Sequence, residues 1–355
     1  MDKKKVSRRF FIGSGLIGTL AALKGGRVLA KKKEEKFPVG MQKSETIKES
    51  RYTLKISGNP KTIQLLQFTD IHFNPYRRDK NIDKSTREDI KRIIDLTQPH
   101  LIAITGDVWN ENAFGKGLQY LEESSEFFGS LGVPWFYTWG NHDVLADYSN
   151  GHDLLAAAKN SMYRGGINEG NYEVLITTDD DKKLWRFVCI NSNNHGIREE
   201  QRKWLDQWCN ENANVVVPSF MACHIPIYQY HTIWENKIAS GVKFEKVCYE
   251  EERGESFNYI KKIPGLKACI CGHDHVNDYS GVLDGIDLIY GRATGYGSYG
   301  ADYVPKGGKL YTLYPASGEY EWVSVTSSNK RWHPQKGVQI EKKEELPWLE
   351  DLKKK

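Results

Sequence analysis

The chain has 355 residues, a formal net charge of +4, and 39% hydrophobic and 27% charged residues. That balance excludes a disordered or fibrous chain and permits a large core without disulfide staples. Residues 1–30 hold seven Lys and Arg against Asp2 and carry +6, which leaves −2 for residues 31–355 and excludes the basic stripe of a nucleic-acid scaffold.

In chain order, Ser7-Arg8-Arg9-Phe10-Phe11 follows a lysine run and precedes a short, glycine-broken apolar stretch, Ile12–Leu23, with a small residue at Ala30. This is the pattern of an export signal, and its paired arginines resemble the twin-arginine signal. The stretch is too short and too glycine-rich for a comfortable membrane span. The expectation is a twin-arginine signal peptide over 1–30, delivery by that export machinery, and a periplasmic or extracellular protein. The alternative is a protein tethered to the membrane by an uncleaved N-terminus. Residues 31–50 are polar and unpatterned and read as a linker.

From residue 51 strand-like runs alternate with helical patterns. Ile63–Phe68 reads as a buried strand. Ser85 can cap a helix whose Ile90, Ile93, Ile94 and Leu96 share a face and which Pro99 stops. Leu101–Thr105 is the next strand, Leu118, Leu121, Phe128 and Leu131 mark a helix, and Pro134–Thr138 is a strand. Trp185–Asn191, Phe220–Cys223 and Ala268–Cys271 read as strands, and Glu199–Cys209 as a helix with Trp204, Leu205 and Trp208 inward. Ile286–Tyr290, Leu310–Tyr314 and Tyr320–Val325 have no helices between them, so a second, mainly antiparallel sheet is expected to complete a sandwich. The domain is expected over 51–330, with 331–355 a charged tail. Four of the six cysteines, Cys189, Cys223, Cys269 and Cys271, sit in apolar runs as core residues, while Cys209 and Cys248 could pair.

Five of these runs end in possible metal ligands: Asp70-Ile71-His72, Gly106-Asp107, Gly140-Asn141-His142-Asp143, His224, and Gly272-His273-Asp274-His275. Each is weak alone, since Gly-Asp is common turn chemistry and a lone histidine is commonly structural. Ligands in open α/β sheets bind at the carboxyl ends of strands, so five such clusters can converge on one site. His152, His195 and His231 lie in nearby loops and read as ordinary loop histidines, and His100 as structural.

The ordered set resembles the calcineurin-like metallophosphoesterase superfamily over nearly all of residues 50–325. LLQFTDIHF, GHDHVNDY and YGRATGYGSYG (Tyr290–Gly300) narrow the likeness to the so-called inactive purple acid phosphatases of plants and their bacterial relatives. The resemblance implies an α/β fold in which a two-sheet β-sandwich is flanked by helices. It implies two metal ions, one on Asp70, His72, Asp107 and His275, the other on Asp107, Asn141, His224 and His273. His142 would face the substrate and Asp143 would orient it. Arg292, in the YGRATGYGSYG loop, could contact phosphate. Purple acid phosphatases carry an iron-binding tyrosine three residues after the bridging aspartate; Asn110 stands there in this chain, so no tyrosinate colour is expected.

Imidazole, carboxylate and amide oxygen without thiolate suit iron, manganese or zinc. Two ions with a bridging hydroxide can attack phosphorus without a serine or cysteine nucleophile. The expected activity is hydrolysis of small phosphomonoesters. A phosphodiesterase or nucleotidase on the same site is the alternative, and a non-catalytic metal-binding module the third reading. In Gly272–His275 an extended backbone would point both histidines one way and Asp274 the other.

Overall fold

A computed structural model of the chain describes residues 50–74, 76–249, 251 and 253–353. The expected signal peptide, and all of the linker but Ser50, lie outside them. In chain order the regular elements are β1 (Arg51–Ile56), β2 (Ile63–Phe68), α1 (Asn81–Thr97), β3 (Leu101–Ile104), α2 (Gly117–Ser130), β4 (Trp135–Tyr137), α3 (Tyr148–Ala157), β5 (Tyr172–Thr178), β6 (Lys183–Cys189), α4 (Glu199–Glu211) and β7 (Ser219–Ala222). The chain continues through α5 (Gln229–Glu235), β8 (Ser240–Lys243), α6 (Ser256–Ile260), β9 (Leu266–Cys271), β10 (Asn277–Leu283), β11 (Ile286–Tyr290), β12 (Gly308–Tyr314), β13 (Glu319–Val325), β14 (Arg331–Trp332), β15 (Gln339–Ile340) and α7 (Leu349–Leu352).

The strands form two sheets among the described residues. One runs β1-β5-β6-β7-β9-β11-β10-β8-β15 and the other β14-β13-β12-β2-β3-β4. Runs such as LLQF, LIAI and WFY are buried without alternation, as strands covered on both faces require. Where both faces are covered by different layers, alternate residues divide between them. Ala268 and Ile270 of β9 join the core between the sheets, with Phe68, Phe220 and Tyr311. Cys269 and Cys271 point to the other face, where Leu205, Tyr230, Ile233 and Phe257 of α4, α5 and α6 cover it. Ile90, Ile93 and Ile94 of α1 and Tyr120, Leu121 and Phe128 of α2 are buried against the second sheet. The fold is a two-sheet sandwich flanked by helices, as expected.

Three details differ from the sequence reading. β11 lies in the nine-stranded sheet, parallel to β9, while β12 extends the other sheet by pairing antiparallel with β2, and β13 pairs antiparallel with β12. Both sheets are therefore mixed. Helix α1 begins four residues before Ser85, where Asp79 Oδ1 accepts the Asn81 amide at 3.0 Å, and Leu96 stays exposed. The expected tail is integrated: β14 pairs with β13, β15 with β8, and Leu346 and Trp348 are buried with Val242, Val276 and Val304. No disulfide joins any of the six cysteines, and among the described residues no helix is long and apolar enough to cross a membrane.

β2, β3 and β4 are parallel neighbours in one sheet, and β7 and β9 are parallel neighbours in the other. The side chain of Gln67 ties the two sheets together beneath their ends. It donates to Thr105 Oγ1 at 2.8 Å and to Cys271 O at 2.9 Å, and accepts from Tyr311 at 2.8 Å. All five polar clusters leave these five strands at their carboxyl ends.

Candidate metal centre

The residues after those strands leave extended backbone abruptly. Asp70, His72, Asp107 and His273 have φ of 54°, 53°, 54° and 79°, in the left-handed region that side chains other than glycine avoid. Such conformations persist where surrounding contacts over-determine them, and they cluster at functional sites. Asp70 is held by its amide on Gly106 O at 3.1 Å. Two glycines make room: a Cβ on Gly106 would meet His224 Nδ1 at 2.6 Å, and one on Gly140 would meet the Asp107 amide at 2.2 Å.

Six side-chain atoms then follow one another across the site. Asp70 Oδ1 is 3.2 Å from His275 Nε2, which is 3.2 Å from His72 Nε2. His72 Nε2 is 3.5 Å from Asp107 Oδ2, Asp107 Oδ2 is 3.2 Å from His224 Nε2, and His224 Nε2 is 3.0 Å from Asn141 Oδ1. Asp70, His72, Asp107 and His275 form one compact ligand group, and Asp107, His224 and His273 another. Asp107 belongs to both. All but Asn141 are buried.

This arrangement fits a cation. His224 Nδ1 lies 2.7 Å from Thr105 O, so Nδ1 carries the proton and a neutral ring turns the lone pair of Nε2 toward two oxygens. Asp107 Oδ2 accepts no hydrogen bond, although its partner Oδ1 accepts the His142 amide at 2.8 Å. Three acceptor atoms thus converge with no hydrogen between them. The backbone-bonded imidazole is the usual setting of a metal ligand. Without an ion a proton must serve: burial opposes charge on His224, but Asp107 outweighs it and pushes the ring up to about 10. Burial drives His72 down to about 3 despite Asp107, so that ring is neutral and able to ligate. Burial also opposes charge on Asp70, yet His275 beside it keeps the carboxyl below its ordinary value.

Comparison with known proteins agrees with this donor set. A match to the calcineurin-like phosphoesterases spans residues 63–277 and takes in every residue of the cluster. The chain belongs to the calcineurin-like phosphoesterase family. Among relatives of this phosphoesterase, "Probable inactive purple acid phosphatase 28" of Arabidopsis thaliana is 25% identical over 315 residues, covering 74% of this chain and 78% of that one. "Probable inactive purple acid phosphatase 29" of the same plant is 25% identical over 300 residues, covering 70% and 76%. A solved dimetal phosphatase from Danio rerio shares the fold with a TM-score of 0.52 and 14% identity, over 79% of this chain and 98% of that one. By family and donor set the protein is a metal-dependent phosphoesterase.

The surroundings of the phosphoesterase centre correct three expectations. Asp143 does not orient His142. It is fully buried and gathers the loop instead: Oδ1 accepts the amides of Val108 at 2.8 Å and Trp109 at 3.2 Å, and Oδ2 those of Asp107 at 2.8 Å and Gly140 at 2.9 Å. The Tyr137 hydroxyl adds a bond of 2.6 Å to Oδ2. Burial and the charge of Asp107 push Asp143 up to about 6, while these five donors favour its charged form. The partner of His142 is Glu111, whose Oε1 lies 2.6 Å from Nδ1 and whose amide donates to His142 O at 2.9 Å. Burial lowers the His142 ring, but the bond to Glu111 together with the charges of Asp107 and Glu111 outweighs it and raises it.

Arg292 does not face the centre. It is buried, donates to Asp278 Oδ2 at 2.7 Å, and has its guanidinium carbon 5.5 and 4.9 Å from the Trp332 and Trp348 ring centres. Nor is Gly272–His275 extended: β9 ends at Cys271, and the left-handed His273 swings the chain round. Asp274 still turns away, accepting from Tyr290 at 2.7 Å and the Cys248 amide at 3.1 Å. The remaining histidines keep local partners, His152 on Tyr163, His195 on Glu251, His231 near Glu235, and His100 accepting the Gln64 amide. Glu111 escaped sequence reading because it follows Asp107 by four residues in a loop with no periodicity.

Proposed function

We propose that this phosphoesterase is an exported phosphatase that holds two iron, manganese or zinc ions and hydrolyses phosphomonoesters. The observation that carries the reading is the place of Asp107, one carboxylate oxygen set between His72 at 3.5 Å and His224 at 3.2 Å. Asp70, His72, Asp107 and His275 would hold one ion, and Asp107, Asn141, His224 and His273 the other. When bound, such ions polarise phosphoryl oxygens and lower the pKa of water. Two divalent ions over two carboxylates leave positive charge, which favours the dianion of a monoester over the single charge of a diester.

The remaining work falls to His142. Its ring is 5.2 Å from that of His72 and half-exposed, so it borders both the centre and solvent. Glu111 at Nδ1 favours the protonated ring, whose Nε2–H can then meet the leaving oxygen as a general acid. Asp143 holds the amide of Asp107 and that of Gly140, the residue before Asn141. Export rests on Arg8-Arg9 and the apolar stretch behind them. The Arabidopsis relatives carry "inactive" in their names, but every ligand position of this chain is filled, and so is His142.

The test is a side-by-side assay of metal-loaded protein on aryl phosphate, alkyl phosphate and bis-aryl phosphate. Faster monoester turnover is expected. Preference for the diester would replace this reading by the phosphodiesterase one. Two bound ions with no turnover of any ester would leave the non-catalytic module.

A further inference from the structure

Among the described residues four Phe, Tyr or Trp residues are exposed: Tyr76 at 41%, Phe114 at 83%, Tyr148 at 43% and Tyr299 at 51%. Three follow residues of the centre closely in the chain, and the fourth rests on His275. Tyr76 follows His72 by four residues, Phe114 follows Asp107 by seven and Tyr148 follows His142 by six. The Tyr299 ring lies against His275, with centroids 4.1 Å apart and planes inclined by 32°. Single exposed rings are ordinary on a protein surface, but here they are confined to the end of the sandwich that carries the centre.

Local structure holds these rings out. Phe114 has φ 57° and ψ 23°, a conformation that bulky residues avoid and that is a genuine outlier for them. It meets the Tyr76 ring edge-on at 5.6 Å, so the loops after β2 and β3 form one lip. Lys116 caps that lip, its ammonium 4.5 Å from the Tyr76 ring centre. Tyr148 packs edge-on at 5.2 Å against Trp139, the residue before Gly140. Two carboxylates belong to the same surroundings: Glu111 on His142, and Glu245, which accepts from the Tyr299 hydroxyl at 2.6 Å.

The geometry points to an aromatic rim that selects the alcohol half of the ester. Its substrate class is phosphate esters of flat, apolar or aromatic alcohols, with Phe114 and Tyr76 as specificity-determining residues. Rings attract such a group through apolar contact and edge or offset stacking, and Glu111 and Glu245 disfavour leaving groups that bear further phosphates. This rests on the phosphoesterase reading above, with the phosphoryl group at the metals.

Binding of phenylphosphonate and methylphosphonate to metal-loaded protein, measured by calorimetry, tests it without turnover. Wild type is expected to bind phenylphosphonate about tenfold more tightly, the size of one good ring contact. Phe114→Ala and Tyr76→Ala should each lose most of that margin and lower phenylphosphonate affinity far more than methylphosphonate affinity. Both positions are exposed, so their melting temperatures should stay near wild type. Equal binding of the two phosphonates by wild type, or a margin that survives both substitutions, overturns the rim while leaving the centre intact. Binding of neither phosphonate by wild type overturns the reading of the centre and the rim with it.

Discussion

The carboxylate of Asp107 divides its labour by atom. Oδ1 takes a backbone amide and fixes the rotamer, while Oδ2 is left to face two imidazoles. Asp107→Asn keeps the shape but replaces one carboxylate oxygen by an NH2 group, which cannot ligate. Metal analysis of that variant should find both ions weakened, and retention of both would show that it does not bridge. His142 makes a sharper test of chemistry, since it stands outside the proposed ligand set. His142→Ala is expected to slow aryl phosphate hydrolysis about 10²- to 10⁴-fold, the usual worth of a general acid, with metal content preserved. The buried Asp and His cluster was legible in the sequence because each of its residues follows closely on an apolar strand. The partner of His142 was not. The resemblance suggested Asp143, but neighbours in a tight turn point to different sides, so Asp143 fell inward and Glu111 arrived from another loop.

At the scale of elements, parallel strands explain why five clusters scattered from residue 70 to residue 275 converge. Strands of like direction end together, and the turn after each must be tight. Gly272 shows the constraint: a Cβ there would meet Thr69 Oγ1 at 1.9 Å and Asp70 Oδ2 at 2.8 Å. Gly272→Ala should displace Asp70, weaken one ion more than the other, and cost about 1–3 kcal/mol of stability by overpacking. Calorimetric metal titration and thermal melting would read the two effects, and an unchanged titration would contradict the packing account. Buried strands such as IQLLQF and IDLIY were readable to the residue, because short runs dominated by large apolar residues have few other solutions. β10, sequence NDYSGVL, was not. Its buried Asn277 and Asp278 look like loop residues until their partners are known.

Those partners belong to the whole molecule. Asp278 accepts Lys309 Nζ at 2.7 Å on Oδ1, and Arg292 Nε at 2.7 Å and Ser324 at 2.9 Å on Oδ2, joining the two sheets through one carboxylate. The C-terminal segment closes over it with Trp332 and Trp348 on Arg292, which is why residues after 330 are part of the fold despite a composition that reads as tail. Burial opposes charge on Asp278, but Lys309 and Arg292 outweigh it and hold the carboxyl below its ordinary 3.8. Because the folded value is the lower one, its stabilisation is present above about pH 4 and is lost as pH falls below that. Asp278→Asn leaves two buried cations underpaired and should cost about 3–5 kcal/mol near neutral pH. Its deficit in melting temperature should narrow under acid, and a deficit independent of pH would refute the role given to its charge. The central claim is a pair of ions sharing Asp107. A crystal structure of metal-loaded protein with anomalous scattering tests it most directly. Two peaks roughly 3.5–4 Å apart, both ligated by Asp107, are predicted; a single peak, or two peaks of which only one touches Asp107, would contradict it.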